Sequence, residues 1–220
     1  MKFNIFKSFL LQNYSLLLFV VILIFVVPLF PVSWHNVLFN VFFTMIYLMA
    51  PLTMERNRKP LLFTAIVLMF LLWVISPEHY PVLNAISKII TILFFSWVVV
   101  SFIIMISRSK TVSAKLILES INGYLMMGLM FTLIIAIIQS YNPDAFSFPE
   151  GALHVGKNVN NFSNYLYYTL VTISTLGYGD VLPTAQYAKS LATFISISGQ
   201  LYIAIIVANL VGKFASQNIK

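Results

Sequence analysis

Residues 162–180 read FSNYLYYTLVTISTLGYGD, and this stretch decides the fold. Its part from 163 to 174 is apolar enough to enter a membrane, but it is shorter than the roughly 20 residues that a span requires. That length predicts a re-entrant helix, which Ser163 can cap at its start. The helix then leads into a polar turn, Thr175 to Asp180, that contains two glycines.

The spacing of those glycines has a structural meaning. Gly177 and Gly179 stand two residues apart, and glycine adopts positive φ at little cost. A backbone that alternates in handedness can direct successive carbonyl oxygens toward one line, at closely spaced levels. A ring of such oxygens can replace the hydration shell of a cation. Leu176 and Tyr178 fill the positions between, and Thr175 adds a hydroxyl to its carbonyl.

The composition places this stretch in a membrane. Of the 220 residues, 60% are hydrophobic and only 9% are charged, so lipid must cover most of the surface. Six apolar runs are long enough to span a bilayer or nearly so, and each must be helical because lipid offers the backbone no other partner. They cover 14–30, 36–54, 61–76, 82–107, 119–140 and 185–208.

The basic residues predict the orientation of these spans. The net charge is +7, and ten of the thirteen basic residues fall on one side if six spans alternate. The positive-inside rule then places both termini in the cytoplasm. We expect the membrane to be the plasma membrane of a bacterial type of cell. The apolar N-terminal run is also compatible with a signal peptide, but it is long and no clear cleavage site follows it. Its retention is the favoured interpretation.

The turn Thr175-Leu-Gly-Tyr-Gly-Asp180 resembles the selectivity filter of the tetrameric potassium channels, whose signature reads Thr-Val-Gly-Tyr-Gly. The resemblance implies a potassium-selective channel in which Thr175, Leu176, Gly177 and Tyr178 bind K⁺ through their carbonyls. The Thr175 hydroxyl would join them, and Gly179 would complete the filter. One chain supplies one loop, so the resemblance also implies a homotetramer.

Residues around the filter extend the resemblance over about 163–204. It implies that Tyr167, Tyr168 and Thr172 support the filter and that Asp180 lies at the outer mouth. The tyrosine hydroxyls would reach the filter tyrosine of a neighbouring subunit. Tyr167 and Tyr168 could instead be interfacial aromatic residues. Gly199 takes the position of a gating hinge in the inner helix, although glycine in a membrane helix can also mark close packing.

Two residues depart from the family pattern. Leu176 replaces the usual valine or isoleucine, which leaves the carbonyl ligand unchanged. Val171 stands where some members carry a buried glutamate, so the support of the filter rests on the tyrosines and Asp180. Several residues of the last span are expected to line the cavity or to pack behind it: Gly199, Tyr202, Ala204, Ile206 and Asn209.

The chain therefore divides into three predicted parts. A four-helix non-pore region covers 1–108, a cytoplasmic linker 109–118, and a pore domain 119–220. A voltage sensor needs basic residues at every third position of the fourth helix. The fourth span contains only Lys88, near its outer end, which predicts a channel without steep voltage sensing.

The sequence gives little support to other functional classes. There are no cysteines, and the three histidines are scattered without metal-ligand spacing. We expect no enzyme activity, no cofactor and no nucleic-acid partner; K⁺ is the transported ion, and a separate gating partner stays open. Two alternatives remain: a non-selective cation channel on the same scaffold, and a non-conducting membrane scaffold or regulatory subunit.

Overall fold

The computed structural model describes residues 2–54, 58–74, 81–109, 111–149 and 162–217. Nearly all of them are helical. The helices are α1 (Lys2–Val21), α2 (Val32–Thr53), α3 (Arg58–Val74), α4 (Pro81–Arg108), α5 (Ala114–Tyr141), α6 (Phe162–Ile173) and α7 (Gln186–Gln217). A π-helical turn (Ile22–Val26) and a 3-10 turn (Val27–Leu29) continue α1. Two short strands, β1 (Phe146–Ser147) and β2 (Leu182–Pro183), complete the fold.

Five helical segments of the described residues are long and apolar enough to cross a membrane. They are Leu10–Leu29, Val32–Thr53, Ile86–Arg108, Ala114–Tyr141 and Gln186–Ser216. Helix α3 corresponds to the predicted third span, and its 17 described residues fall at the lower limit of spanning length. These apolar helices indicate a membrane protein.

The helix ends differ in detail from the predicted boundaries. Ser113 caps α5 by accepting a hydrogen bond from the Leu116 backbone N–H at 3.3 Å. Helix α5 therefore begins at Ala114, inside the stretch 109–118 that was predicted as a linker. Residues 109–113 connect α4 to α5, and 114–118 belong to the first turns of α5. The polar composition of this stretch concealed a helix start because a helix N-terminus is itself rich in polar residues.

Aromatic side chains form the core of the first four helices. Phe95 of α4 is fully buried, and its ring contacts those of Phe43, Tyr47 and Phe94 at centroid distances of 5.7 to 6.1 Å. The Tyr47 hydroxyl lies 3.3 Å from the Thr91 hydroxyl, which gives its polar end a partner inside the bundle. This cluster continues into the pore region, because Phe162 of α6 stacks edge-on against Phe43 at 5.4 Å.

A buried polar contact also joins the two regions. The Asn122 side chain of α5 donates to the Asn13 backbone oxygen of α1 at 3.1 Å, and both residues are fully buried. Asn13 lies past the middle of α1, and Asn122 lies in the first third of α5. An amide pair buried among apolar helices fixes the register between them because slippage would leave polar groups without partners.

A two-residue ladder, absent from the all-α prediction, ties the chain before α6 to the chain after the predicted filter loop. Strand β1 pairs antiparallel with β2, with Phe146 opposite Pro183 and Ser147 opposite Leu182. The Thr184 backbone N–H adds a hydrogen bond to the Ala145 oxygen at 3.0 Å. The ladder anchors the chain after the filter to the chain after α5. Residues 150–161 lie outside the described residues.

Candidate functional site

The end of α6 holds the start of the filter loop through main-chain hydrogen bonds. The backbone N–H groups of Leu176 and Gly177 both donate to the Val171 oxygen, at 3.0 and 3.3 Å. The Thr175 N–H donates to the Thr172 oxygen at 3.0 Å. The loop therefore begins as a continuation of the helix end, where the negative end of the helix dipole favours cations. The Val171 position thus supports the loop through its carbonyl, whatever its side chain.

The backbone of the loop alternates in handedness. Thr175 has φ 60°, Gly177 φ 60° and Gly179 φ 79°, while no positive φ occurs at Leu176 or Tyr178. These are the positive φ angles of the described residues. The two glycines adopt such angles without strain, whereas Thr175 is a β-branched residue in a conformation that it rarely takes. The alternation expected from the glycine spacing is present and extends one step further, to Thr175.

The Thr175 hydroxyl is engaged on both sides. It donates to the Ser174 oxygen at 2.7 Å and accepts from the Gln200 side chain of α7 at 3.0 Å. Gln200 is a residue of this site that was not predicted from the sequence. The signal that could have found it is its place directly after Gly199, on the helix that follows the filter.

The outer end of the loop is held by a side-chain hydrogen bond. The Tyr167 hydroxyl of α6 donates to Asp180 Oδ2 at 2.6 Å, and the Val181 backbone N–H donates to Asp180 Oδ1 at 3.1 Å. The hydrogen bond to the carboxylate stabilises the protonated hydroxyl and raises the pKa of Tyr167 to about 12. Tyr167 can therefore brace Asp180 within one chain.

Tyr168 points elsewhere. Its side chain is buried, and its ring lies edge-on to Phe146 at a centroid distance of 5.3 Å. The Thr172 hydroxyl donates to the Tyr168 backbone oxygen at 2.8 Å. Tyr168 thus packs α6 onto the chain that follows α5, and its place in a tyrosine ring around the filter stays a prediction.

The start of α6 also differs from the expectation. The helix begins at Phe162, so Ser163 lies within the first turn instead of at the cap position. Its hydroxyl lies 3.4 Å from His35 Nδ1 of α2, while His35 Nε2 lies 2.9 Å from the Phe30 backbone oxygen. His35 is buried between these groups, which connects α2 to the outer end of α6.

Gly199 lies where α7 touches the end of α6. A Cβ placed on Gly199 would overlap the Ile173 carbonyl oxygen, so only glycine allows this approach. The Tyr124 hydroxyl of α5 donates to the same oxygen at 3.3 Å. The structure therefore gives Gly199 a packing role, and the hinge role stays a prediction.

The remaining residues of α7 divide between two faces. Tyr202 and Ile206 are buried, and the Tyr202 hydroxyl donates to the Ser120 backbone oxygen of α5 at 2.8 Å. These two side chains lie on the buried face of α7. Ala204 is exposed in the single chain and Asn209 is half-buried.

The described residues contain no group of three or more histidine, cysteine, aspartate or glutamate side chains that could hold a metal. The oxygen-rich feature of the described chain is the backbone of residues 174–180, all of which are exposed in the single chain. Leu176 is 57% exposed and Tyr178 66%. A loop of this kind offers carbonyl ligands, and carbonyls suit hard cations.

Comparison with known proteins agrees with this description. Residues 127–216 match a family model described as an ion channel. A stretch of 92 residues is 37% identical to the potassium voltage-gated channel protein Shal of Drosophila melanogaster and covers 40% of this chain. A stretch of 63 residues is 36% identical to the A-type voltage-gated potassium channel KCND3 of Homo sapiens and of Rattus norvegicus, and covers 27% of this chain.

The matched stretches cover 15% of the length of Shal and 10% of KCND3. No solved structure gives a significant match. The chain is thus a membrane protein with a segment that matches an ion-channel family model, and the matches support a potassium channel family. The family model covers the second half of α5, helix α6, the loop after it and nearly all of α7.

Proposed function

We propose that this chain is the pore-forming subunit of a potassium-selective channel, with residues 175–179 as its selectivity filter. The observation that carries the proposal is the positive φ at Thr175, Gly177 and Gly179, in a loop that follows a short helix between two long apolar helices. Alternate handedness at successive residues is what a column of inward carbonyl ligands needs. The similarity to potassium channels and the ion-channel family model over 127–216 add support.

The ligands would be the carbonyls of Thr175, Leu176, Gly177 and Tyr178, with the Thr175 hydroxyl at the inner end. K⁺ would shed water against these oxygens and pass in single file by mutual repulsion. The hydrogen bond from Tyr167 to Asp180 would hold the outer end of the column in place. The side chain of Leu176 takes no part in coordination, so its departure from the family pattern leaves selectivity unchanged.

A homotetramer follows from the same loop. One chain contributes one side of a carbonyl ring, and its filter residues are exposed in isolation. Helix α7 also exposes large apolar side chains that copies of the chain would cover. They include Phe194, Ile197, Leu201, Ile203, Ile205 and Val207.

The packing supports six crossings of the membrane. Met54 at the end of α2 lines the same cavity as Arg108 at the end of α4 and Ser113 at the start of α5. Helix α4 is 28 residues long, so its start lies on the opposite side of the membrane. Residues 58–80 would then have to cross, with α3 forming most of that span. Lys213 at the end of α7 donates to the Ile106 and Ser107 backbone oxygens at this same side.

This side carries the basic residues Arg108, Lys115 and Lys213, so we assign it to the cytoplasm together with both termini. The parts proposed as a four-helix region (1–108) and a pore domain (119–220) then meet along α5. Although the matching relatives are named as voltage-gated, the proposed channel lacks a steep voltage sensor. The matched segment, 127–216, lies outside the first four helices.

The test is ion flux through the purified protein in liposomes, under a potassium gradient with sodium as competitor. We expect flux that strongly favours potassium and is blocked by barium. Tyr178→Asp should lower the potassium-to-sodium ratio at least tenfold, because it alters the residue between the two filter glycines. Tyr141→Asp, the same change at an exposed residue of α5, should leave the ratio unchanged.

Three results would count against the proposal. Equal sodium and potassium flux in the parent protein would indicate a non-selective cation channel. A Tyr178→Asp protein as selective as the parent would show that the filter lies elsewhere. Absence of flux under every gating stimulus applied (pH, lipid composition and membrane tension) would favour the non-conducting scaffold.

A further inference from the structure

Gln200 lies directly beneath the filter loop. The close approach of Gly199 to the Ile173 carbonyl brings α7 against the end of α6, and Gln200 is the next residue of α7. Its Nε2 then reaches the Thr175 hydroxyl oxygen at 3.0 Å. The contact therefore depends on the glycine that precedes it, since a side chain at 199 would move α7 away.

The hydrogen-bond roles in this contact are fixed by the partners. A threonine hydroxyl has one proton and two lone pairs. The proton of Thr175 is directed to the Ser174 carbonyl at 2.7 Å, so its oxygen must accept from Gln200. The Gln200 atom that faces Thr175 is therefore the NH₂ group, and the carboxamide oxygen is directed away from Thr175.

Two consequences follow for an ion at the inner end of the loop. The Thr175 hydroxyl keeps one lone pair for the ion, since Gln200 occupies the other. The Gln200 carboxamide oxygen makes no contact with Thr175 and belongs to an exposed residue, so it is open to a cation. Amide oxygens are good ligands for hard cations.

We propose that the Gln200 carboxamide forms an additional cation-binding level below Thr175, with one amide oxygen from each subunit. This rests on the proposed channel function and on the tetramer. The ligand is a partly hydrated cation that enters from the cytoplasmic side, and Ba²⁺ is the probe that binds such an oxygen site most readily. Gln200 thereby sets the affinity for internal Ba²⁺, while the carbonyls above it set the selectivity.

A purely structural role for Gln200 makes a different prediction. If its only task were to donate to Thr175, any variant without the NH₂ group would change block in the same direction. A cation ligand predicts opposite directions for two such variants. Gln200→Leu removes both the donor and the oxygen, whereas Gln200→Glu removes the donor but adds oxygen and negative charge.

The experiment measures block by Ba²⁺ applied from the cytoplasmic side, with purified protein in planar bilayers. We expect Gln200→Leu to weaken internal Ba²⁺ block about tenfold, roughly the loss of one favourable contact per site, and Gln200→Glu to strengthen it by a similar factor. The potassium-to-sodium ratio is measured for both variants as well, and it should change far less than in Tyr178→Asp. Gln186→Leu, the same change at the exposed outer start of α7, is the matched control and should leave block unchanged.

The outcomes separate this inference from the proposed function. A parent protein that is not potassium-selective rejects the proposed function itself. A selective parent whose two Gln200 variants shift Ba²⁺ block in the same direction, or not at all, rejects only the inference. A loss of selectivity in Gln200→Leu as large as that in Tyr178→Asp would also reject it, because Gln200 would then be part of the filter scaffold.

Discussion

The proposed pore region and the first four helices are both built from apolar helices. The main chain determines the geometry of the first, whereas side-chain packing determines that of the second. In the pore region the decisive features are main-chain ones: the φ angles of Thr175, Gly177 and Gly179 and the close approach at Gly199. In the first four helices they are side-chain contacts, such as the aromatic cluster around Phe95. Only the former lies within the stretch that matches the ion-channel family model.

This difference indicates how each region tolerates substitution. A packed core accepts many changes that conserve volume and polarity. A carbonyl column does not, because its geometry depends on the backbone and would be repeated in four subunits. The proposed pore region should therefore respond sharply to very small changes, and helices α1–α4 should respond weakly to substitutions that conserve volume and polarity.

The largest effect is expected from Gly177→Ala. A Cβ at this position meets nothing within 4 Å, so the cost arises from φ 60° alone, which disfavours an L-residue by roughly 1–2 kcal/mol. Repeated in four subunits, this would collapse the column, and we expect potassium flux at background level. The measurement is liposome flux at equal protein density.

Gly212→Ala provides the matched control for that variant. A Cβ there also meets nothing within 4 Å, and Gly212 has no positive φ. It should keep the parent flux. If Gly177→Ala conducted as well as Gly212→Ala, the backbone conformation could not be what determines the pore.

A smaller but clear effect is expected from Gly199→Ala. The added methyl overlaps a backbone oxygen of α6, so the two helices must separate, and overpacking of this kind costs about 1–3 kcal/mol. We expect a lower Tm of the purified protein together with reduced flux. Gly128→Ala, whose Cβ would lie 3.2 Å from the flexible end of the Leu170 side chain, should lower Tm less.

The same pair of variants separates packing from hinge motion. A glycine that serves only as a hinge would leave Tm unchanged in Gly199→Ala and would alter the open probability in single-channel records. An unchanged Tm would therefore contradict the packing role and favour the hinge.

Tyr167→Phe should have a milder effect at the outer end of the filter. The variant removes the hydroxyl that donates to Asp180 and leaves the ring in place. We expect selectivity to persist and flux to decline several-fold faster during sustained activity, as the outer end of the column loses its brace. Tyr187→Phe, which removes a hydroxyl bonded to Asn142 instead, is the control. Equal decay in the two variants would show that Asp180 needs no such partner.

Much of this site could be predicted because it depends on local sequence. The short helix α6 follows from the length of its apolar run, and the positive φ at Gly177 and Gly179 from their spacing. The positive φ at Thr175 could not be predicted, because a β-branched residue disfavours it and only the surrounding structure imposes it.

Contacts between residues far apart in the chain could not be predicted from the sequence either. The pairing of Gln200 with Thr175 and of Tyr168 with Phe146 depends on how helices pack, which periodicity does not specify. The two-residue ladder was missed because such short strands leave no alternating pattern. The start of α5 was placed five residues too late because polar residues at a helix N-terminus resemble a linker.

The smallest effect is expected from Lys88→Met, and its smallness is the informative result. Lys88 is the basic residue of α4 before Arg108, and carrying one charge across the membrane yields only about 2.3 kcal/mol per 100 mV. Steep voltage dependence requires several such charges in each subunit. Currents in planar bilayers should therefore show the same shallow dependence on voltage in the parent, in Lys88→Met and in the control Lys189→Met. A steep dependence that disappears only in Lys88→Met would mean that α4 senses voltage with a single charge, and the division between a responsive pore and electrically silent helices would fail.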